Sequence, residues 1–466
     1  MDKKIKFSGI TNFLGKDINY DFDGNMLNLY VDNEIYHRLT MKEIQKGVYT
    51  SELQKLDVTE LECSINGSEE KVIFLFNNCI SKSQAKNYTS FTIGLLIKEY
   101  IIYSSTNIML SKDSYYKMNF YSKDFYRFLS LTPIYNVRGN DDKTLPLASV
   151  LLNEDAINQK CSVEILGFDV EISPSYKYNW GGSNFDFTPG ISLVIKNPLK
   201  FNYTNVFKFY HGTIKLLWFL FMRKNIFPTD VEFTYFGAKG KLYTNCYSNF
   251  ERDKENPNDC YSGYIYWYDS YTVVGNILKA IIENDCLMNN IPNSKIERLY
   301  INDVSISKDA AEFEYEFKKI FPNGIPHSEE RLKIEEEIRE ELTHLKNNCT
   351  GKKKDYYKQF LKHIRQESLK GNMKYMFEQN SELLKEILCA LHCDMTYDEI
   401  SEECSGIRNT IDHGKDDRAI NETSALSFLI LRILIYIMQL RRFGLKDENI
   451  KNSIFNLLRI KGSGVL

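Results

Sequence analysis

The chain of 466 residues lacks a surplus of charge, a long apolar run and a phosphate-binding loop, and each absence weighs against a class of function. Its 59 lysines and arginines stand against 62 aspartates and glutamates, a formal net charge of -3. That balance argues against a general basic coat for nucleic acid, so any such contact has to be local. The longest apolar run, Leu426 to Leu440 (LSFLILRILIYIMQL), is shorter than a bilayer span and contains Arg432; it reads as a buried helix, and no membrane association is expected. The N-terminal stretch MDKKIKFSGI has no apolar run of signal-peptide length, so the expectation is a cytoplasmic protein. Its ten cysteines are scattered, and in a reducing compartment they read as small buried hydrophobes. Neither a Walker-type loop nor a strand-linked GxGxxG is present, which argues against nucleotide hydrolysis.

What is present is a globular balance: 43% hydrophobic and 26% charged residues, with 31 Tyr and 29 Phe. A chain of this length exceeds one ordinary core, and two or three domains are expected. The pattern is α+β. Residues 1–304 read as a mostly antiparallel β-rich region. Runs such as Lys71 to Phe76, Ser162 to Ser173 and Gly190 to Lys196 are β-branched, aromatic or alternating, and Asp23-Gly24, Asn66-Gly67 and Gly181-Gly182 supply turns. Strand-like segments are also expected at Val231 to Phe236 and Tyr264 to Tyr268. A helix over Asn205 to Lys224, apolar on nearly all sides, is expected to pack under the sheet, and another near Val274 to Asn284 closes this half.

Residues 305–466 read as all-α, with helices over Lys308 to Phe321, Ser328 to Asn347, Asp355 to His363, Ser381 to His392, Tyr397 to His413 and Ser424 to Phe443. Ser328 suits the cap of the second, a strongly acidic helix read as a solvated face. Thr396-Tyr397-Asp398-Glu399 is a capping-box pattern, and Gly414 can take the left-handed conformation that ends the helix.

That helix ends in Arg408-Asn409-Thr410-Ile411-Asp412-His413, a combination suited to cleaving RNA without a metal. An arginine matches phosphate with paired donors. A histidine at a helix C-terminus is favoured in its protonated form near neutral pH, where proton transfer is most useful. The RNA 2′-hydroxyl supplies the nucleophile, so the protein needs only to place the phosphate, stabilise its charge and move protons. Asn409 shares the histidine's face and can orient either side chain, and Lys415 adds positive potential for substrate binding. On a regular helix Arg408 and His413 diverge by roughly 140°, so they converge only if the helix unwinds near Gly414 or two copies meet. Spacing alone equally allows Arg408 and Asp412 to form an ordinary i,i+4 surface pair.

Arg-Asn-Thr-Ile-Asp-His-Gly, a short polar loop and a long apolar helix ending in Arg441-Arg442-Phe443-Gly444-Leu445 resemble the C-terminal HEPN ribonuclease domain of ApeA-like anti-phage proteins. Thr213 to Phe233 (TIKLLWFLFMRKNIFPTDVEF) resembles the helix-then-strand unit of the ApeA N-terminal domain. The resemblance implies a sensing or regulatory domain over 1–304 and a HEPN helical bundle over 305–466. It further implies a metal-independent endoribonuclease, with no cofactor, in which Arg408 and His413 are the catalytic pair and Asn409 fills the polar second position. A homodimer through the HEPN domain would complete the site, RNA including tRNA would be the substrate, and a phage-encoded protein would be the trigger of an abortive infection. The apolar helix Ser424 to Phe443 is the expected dimer surface, with burial inside its own domain as the alternative. A non-catalytic HEPN protein that only dimerises or binds a partner is the competing expectation.

Two other sets of chemical residues are set aside. Cys389, His392, Cys393 and Cys404 are metal-ligand types, but the spacing matches no standard zinc site and the cysteines fall on an apolar helix. Glu251, Asp253 and Glu255 lie in a Lys/Asn/Pro-rich loop with no fixed geometry for a cation.

Overall fold

A computed structural model of the chain describes residues 6–46, 48–53, 55–77, 79–87, 90–104, 115–129, 134–138, 147–151, 159–181, 184–196, 203–235, 238–244, 246–247, 263–364, 367–412 and 420–458. These residues form an α+β protein of two compact units. The first comprises residues 1–126, 131–203 and 227–252, and the second residues 127–130, 204–226 and 253–466.

The first unit is antiparallel β-structure. Strands β1 (Phe7–Phe13), β2 (Lys16–Phe22) and β3 (Met26–Val31) form a meander, followed by helix α1 (Asn33–Thr40), the small hairpin β4 (Met41–Gln45) and β5 (Val48–Ser51), then β6 (Glu60–Ser64) and β7 (Glu70–Phe76). Strand β8 (Lys82–Asn87) leads into β9 (Ser90–Ser104), which is long enough to pair β3 along its first half and β7 along its second. Because β7 also pairs β6, the order β9-β3-β2-β1-β6-β7 returns to β9 and closes a barrel. Alternation puts Ile18, Tyr20 and Phe22 of β2 inside, and Leu27, Leu29, Val72, Phe74, Ile93 and Leu95 join them without exposure. Asp23-Gly24 and Asn66-Gly67 turn the chain as expected, the glycines at φ 97° and 73°.

Strands β10 (Tyr115–Tyr121), β11 (Ile134–Arg138), β12 (Leu147–Leu151), β13 (Cys161–Ile165), β14 (Phe168–Gly181), β15 (Asn184–Lys196), β16 (Asp230–Tyr235) and β17 (Ala238–Thr244) follow. All except the β11-β12 hairpin extend the barrel's sheet in the order β13-β14-β15-β10-β16-β17-β9. The β14-β15 hairpin pairs out to Gly181 and Asn184; Gly182 of the expected turn lies outside the described residues.

The second unit is helical, and it does not begin at residue 305. Helix α2 (Tyr203–Phe221), expected to pack under the sheet, falls in this unit apart from its first residue, and so does α3 (Trp267–Ile282). The reason lies in α2's composition. With Val206, Phe207, Leu216, Trp218 and Phe219 all buried at bearings spread around the helix, it suits the centre of a helical core better than the single face a sheet offers. Gly212 lets α3 approach closely, since a Cβ there would fall 2.5 Å from Ile282 Cγ1. No strand forms over Tyr264 to Tyr268. Instead Tyr266 is the extended residue from which α3 starts, and the N–H of buried Trp267 donates to the Phe128 carbonyl.

There follow α4 (Asp303–Ile320), α5 (Glu329–Asn347), α6 (Gly351–His363), α7 (Leu369–Gln379), α8 (Ser381–Ala390), α9 (Tyr397–Asp412), α10 (Glu422–Arg442) and α11 (Asp447–Leu458). Helices α1, α7 and α11 were not expected; each is short, with too few turns for a clear 3.6-residue period. Ser328 caps α5 as read, accepting from the Arg331 N–H. Helix α10 is long and apolar enough to cross a bilayer, yet 78% of its apolar window is buried within the fold. The expected dimer surface is therefore core.

A polar ladder sets the register of α10 against α4. Asp309, Glu312 and Glu316 line one face of α4 at i, i+3, i+7 and meet Arg432, Gln439 and Arg442 of α10. Arg432 grips Asp309 with two bonds, Nε to Oδ1 at 3.1 Å and Nη2 to Oδ2 at 2.7 Å, and both side chains are buried. Its Nη1 donates to the carbonyl of Arg298 (2.8 Å). Arg298, also buried, donates to the carbonyls of Phe221, Gly263 and Leu457, tying three segments together. Burial, followed by the neighbouring Glu316 carboxylate, pushes the Glu312 carboxyl up to about 8.

Candidate functional site

Helix α9 starts where its sequence says it should. Thr396 Oγ1 accepts from the Glu399 N–H at 3.3 Å while Glu399 Oε2 accepts from the Thr396 N–H at 2.7 Å, the reciprocal bonds of a capping box. Ile400, Cys404 and Ile407 then bury at i, i+4, i+7, which commits one face to the core and leaves Arg408 and Asn409 on the flank.

Three groups hold the Arg408 guanidinium. Nε lies 2.9 Å from Asp412 Oδ2, Nη2 lies 3.6 Å from Glu314 Oε1 on α4, and Nη1 donates to Asn409 Oδ1 at 3.3 Å. The i,i+4 pair that spacing allowed is thus formed. The side chains of Arg408, Glu314 and Asp412 remain 32%, 37% and 37% exposed, so all three meet water and the carboxylates are exchangeable partners.

The other sequence candidates, His413 and Lys415, lie outside the described residues, as do Gly414, Glu251, Asp253 and Glu255. What flanks the 413–419 segment is well held. Asn421 Oδ1 caps α10 by accepting from the Ser424 N–H (2.8 Å), and Ser424 Oγ donates to Glu403 Oε1 of α9 at 2.6 Å. The start of α10 is therefore pinned to α9 two turns before its end.

A groove runs beside Arg408. It is an open cleft of about 480 Å³ between the first turns of α4 and the last turn of α9, walled by Val304, Ala311 and Ile411, with Asp303, Ser307, Lys308 and Asn289 as polar groups. Ile411 is three residues beyond Arg408, and Ala311 is three residues before Glu314, so this end of the groove abuts the Arg408–Glu314 pair. Burial first, then the nearby Lys308 charge, lowers the Lys224 pKa. The lining thus carries one cation, Lys308, and one carboxylate, Asp303, beside an apolar wall.

Sequence reasoning missed Glu314 because nothing marks it among Glu312, Glu314 and Glu316. Only the fold shows that the middle one points away from the buried ladder towards Arg408. His392 takes the left-handed position after α8 (φ 52°), and the Cys393 N–H closes the helix on the Leu388 carbonyl at 3.0 Å. Cys393 and Cys404 are buried while Cys389 is exposed.

No family model, curated protein or solved structure matches this chain.

Proposed function

We propose that the protein is a cytoplasmic anti-phage defence factor whose helical unit is a metal-independent HEPN endoribonuclease, with the β-rich unit sensing infection or restraining the nuclease. The observation that carries the reading is the placement of Arg408. It sits one turn before the end of α9, bonded to Asn409 and near a groove lined in part by Lys308, and its carboxylate partners are exposed enough to yield to a phosphate.

In this mechanism the Arg408 guanidinium leaves Asp412 and Glu314 for two phosphate oxygens and stabilises the charge that builds on them. The 2′-hydroxyl of the preceding ribose attacks phosphorus and loses its proton. The P–O5′ bond breaks, leaving a 2′,3′-cyclic phosphate and a 5′-hydroxyl. His413 carries the proton to the leaving oxygen, Lys415 adds positive potential, and a second protomer completes the site. Expression of wild type, Arg408→Ala and His413→Ala during phage infection tests the reading. Protection and RNA decay in the wild type alone are expected, and equal protection by all three overturns it.

A second reading is favoured by one observation, the formed Arg408–Asp412 pair. On that reading the helical unit is a non-catalytic module that binds a partner, and Arg408 is a surface ion pair worth about 0.2–1 kcal/mol.

A further inference from the structure

The cleft beside Arg408 is not lined as a phosphate site would be. Asp303, Val304, Ser307, Lys308 and Ala311 all come from the first turns of α4, where each residue advances about 100° around the axis. Ser307, Ala311 and Val304 fall within roughly 60° of one another and form the floor. Asp303 stands about 40° to one side of that floor and Lys308 about 40° to the other. Ile411 of α9 adds a further apolar wall. Val304 is 62% exposed and Ala311 is exposed too, so the fold itself covers neither. Among the described residues Asp303 and Lys308 make no hydrogen bond or salt bridge.

A carboxylate repels a phosphate and can only accept hydrogen bonds, whereas an ammonium can only donate them. A cleft with one of each at its opposite edges and an apolar floor between suits a flat, neutral group that carries N–H donors on one edge and is tethered to a phosphate beyond the other. A nucleobase within a strand is such a group. The volume of about 480 Å³ is in the range of small-ligand sites, and the cleft is open, so a strand can enter and leave it. Among the four bases, guanine alone sets an imino N–H beside an amino group, two adjacent donors that match the two oxygens of a carboxylate. Adenine and cytosine offer one amino group, and uracil one imino N–H. The cleft also ends at the right place. Ile411 is one turn beyond Arg408, and Ala311 is one turn before Glu314, whose Oε1 is 3.6 Å from Arg408 Nη2. A base held there is therefore a neighbour of any phosphate held by Arg408.

We infer that the cleft seats one guanine base of a single-stranded RNA, with Asp303 as the residue that selects it. The Asp303 carboxylate accepts from the imino N–H and the amino group, Val304, Ala311 and Ile411 pack on the faces of the ring, and Lys308 meets a backbone phosphate at the opposite edge. The inference rests on the ribonuclease reading for the polymer, and it deepens that reading by naming the base beside the phosphate at Arg408.

Fluorescence anisotropy on the full chain tests it with short labelled strands in which every ribose is 2′-fluoro, so that they lack the nucleophilic hydroxyl and bind without being cut. Each strand carries one variable base among uracils. Guanine is expected to bind about tenfold more tightly than adenine, cytosine or uracil, the scale of one bidentate base contact. Hypoxanthine, which lacks the amino group, is expected to fall between. Asp303 is exposed, and Asp303→Ala is expected to bind all five strands alike. Lys308→Ala is expected to weaken every strand and keep the guanine preference. Equal binding of the five strands by the wild type, or binding of none, overturns the inference, as does a guanine preference that Asp303→Ala retains. Because the readout is binding, the two readings fail separately. A guanine preference in a protein that cuts no RNA upholds the seat and sinks the ribonuclease, and RNA cleavage without the preference does the reverse.

Discussion

Arg408 Nε and Asp412 Oδ2 stand 2.9 Å apart across one turn at the end of α9, with Glu314 of α4 reaching the other side of the same guanidinium. The cation that the proposed chemistry needs is therefore engaged by carboxylates in the resting fold. A substrate phosphate has to compete with them.

Removing that competition has a readable outcome. The double variant Asp412→Asn, Glu314→Gln is expected to lower KM for RNA severalfold, because the phosphate no longer displaces two carboxylates. Arg408→Ala is expected to lower kcat/KM by about 10²–10³, the scale for losing one group that stabilises a developing charge. Steady-state cleavage of a labelled oligoribonucleotide measures both. If the double variant changes thermal stability alone, the pair is structural.

The groove supplies a second test. Ala311 is exposed on its wall, so Ala311→Trp fills the cleft without disturbing the core. The expected result is a KM raised about tenfold with kcat preserved, as for loss of uniform binding. Lys308→Ala is expected to flatten the dependence of binding on salt by about 0.7 in the log–log slope, the effect of one fewer contact to a single-stranded phosphate backbone. Unchanged affinity in both variants would place the substrate elsewhere.

The buried ladder governs stability rather than chemistry. Arg432→Ala leaves Asp309 buried without its bidentate partner and is expected to cost about 3–5 kcal/mol in chemical denaturation. Asp309 and Arg432 replaced together by Leu and Met are expected to cost less than Arg432→Ala alone, since no unpaired charge remains. A loss under about 1 kcal/mol for Arg432→Ala is inconsistent with the pair as described.

Glu312 adds a dependence on pH. With its folded carboxyl pushed up to about 8 from the usual 4.5, the folded state holds a proton that the unfolded state releases. Stability should therefore fall as pH rises from about 4.5 to about 8 and level off above that. Melting temperatures over this range should show a shallower decline for Glu312→Gln than for the wild type. Parallel curves for the two proteins would assign the slope to other groups.

The parts legible in the sequence were those whose signals are local. The capping box at Thr396 and Glu399, the Ser328 cap and the turns at Gly24 and Gly67 all depend on residues a few positions apart, and all form. What escaped depends on partners far along the chain. Helix α2 looked like a sheet-packing helix because its neighbours in sequence are strands, yet its buried residues belong to the helical unit. Helix α10 looked like a dimer surface because it has more apolar surface than one face requires, and its own unit surrounds it instead. At the site, Arg408, Asn409 and Asp412 were visible as a local pattern. Glu314, ninety-odd residues upstream, was not, because only the docking of α4 against α9 brings it to the guanidinium.

The most direct test of the account is cleavage of a single-stranded RNA by the purified protein in EDTA, alongside Arg408→Ala, His413→Ala and an RNA with one 2′-deoxy residue. The account predicts 2′,3′-cyclic phosphate ends from the wild type, no cleavage by either variant, and protection of the bond that follows the deoxy residue. Cleavage that both variants retain, or that continues at the deoxy position, contradicts it.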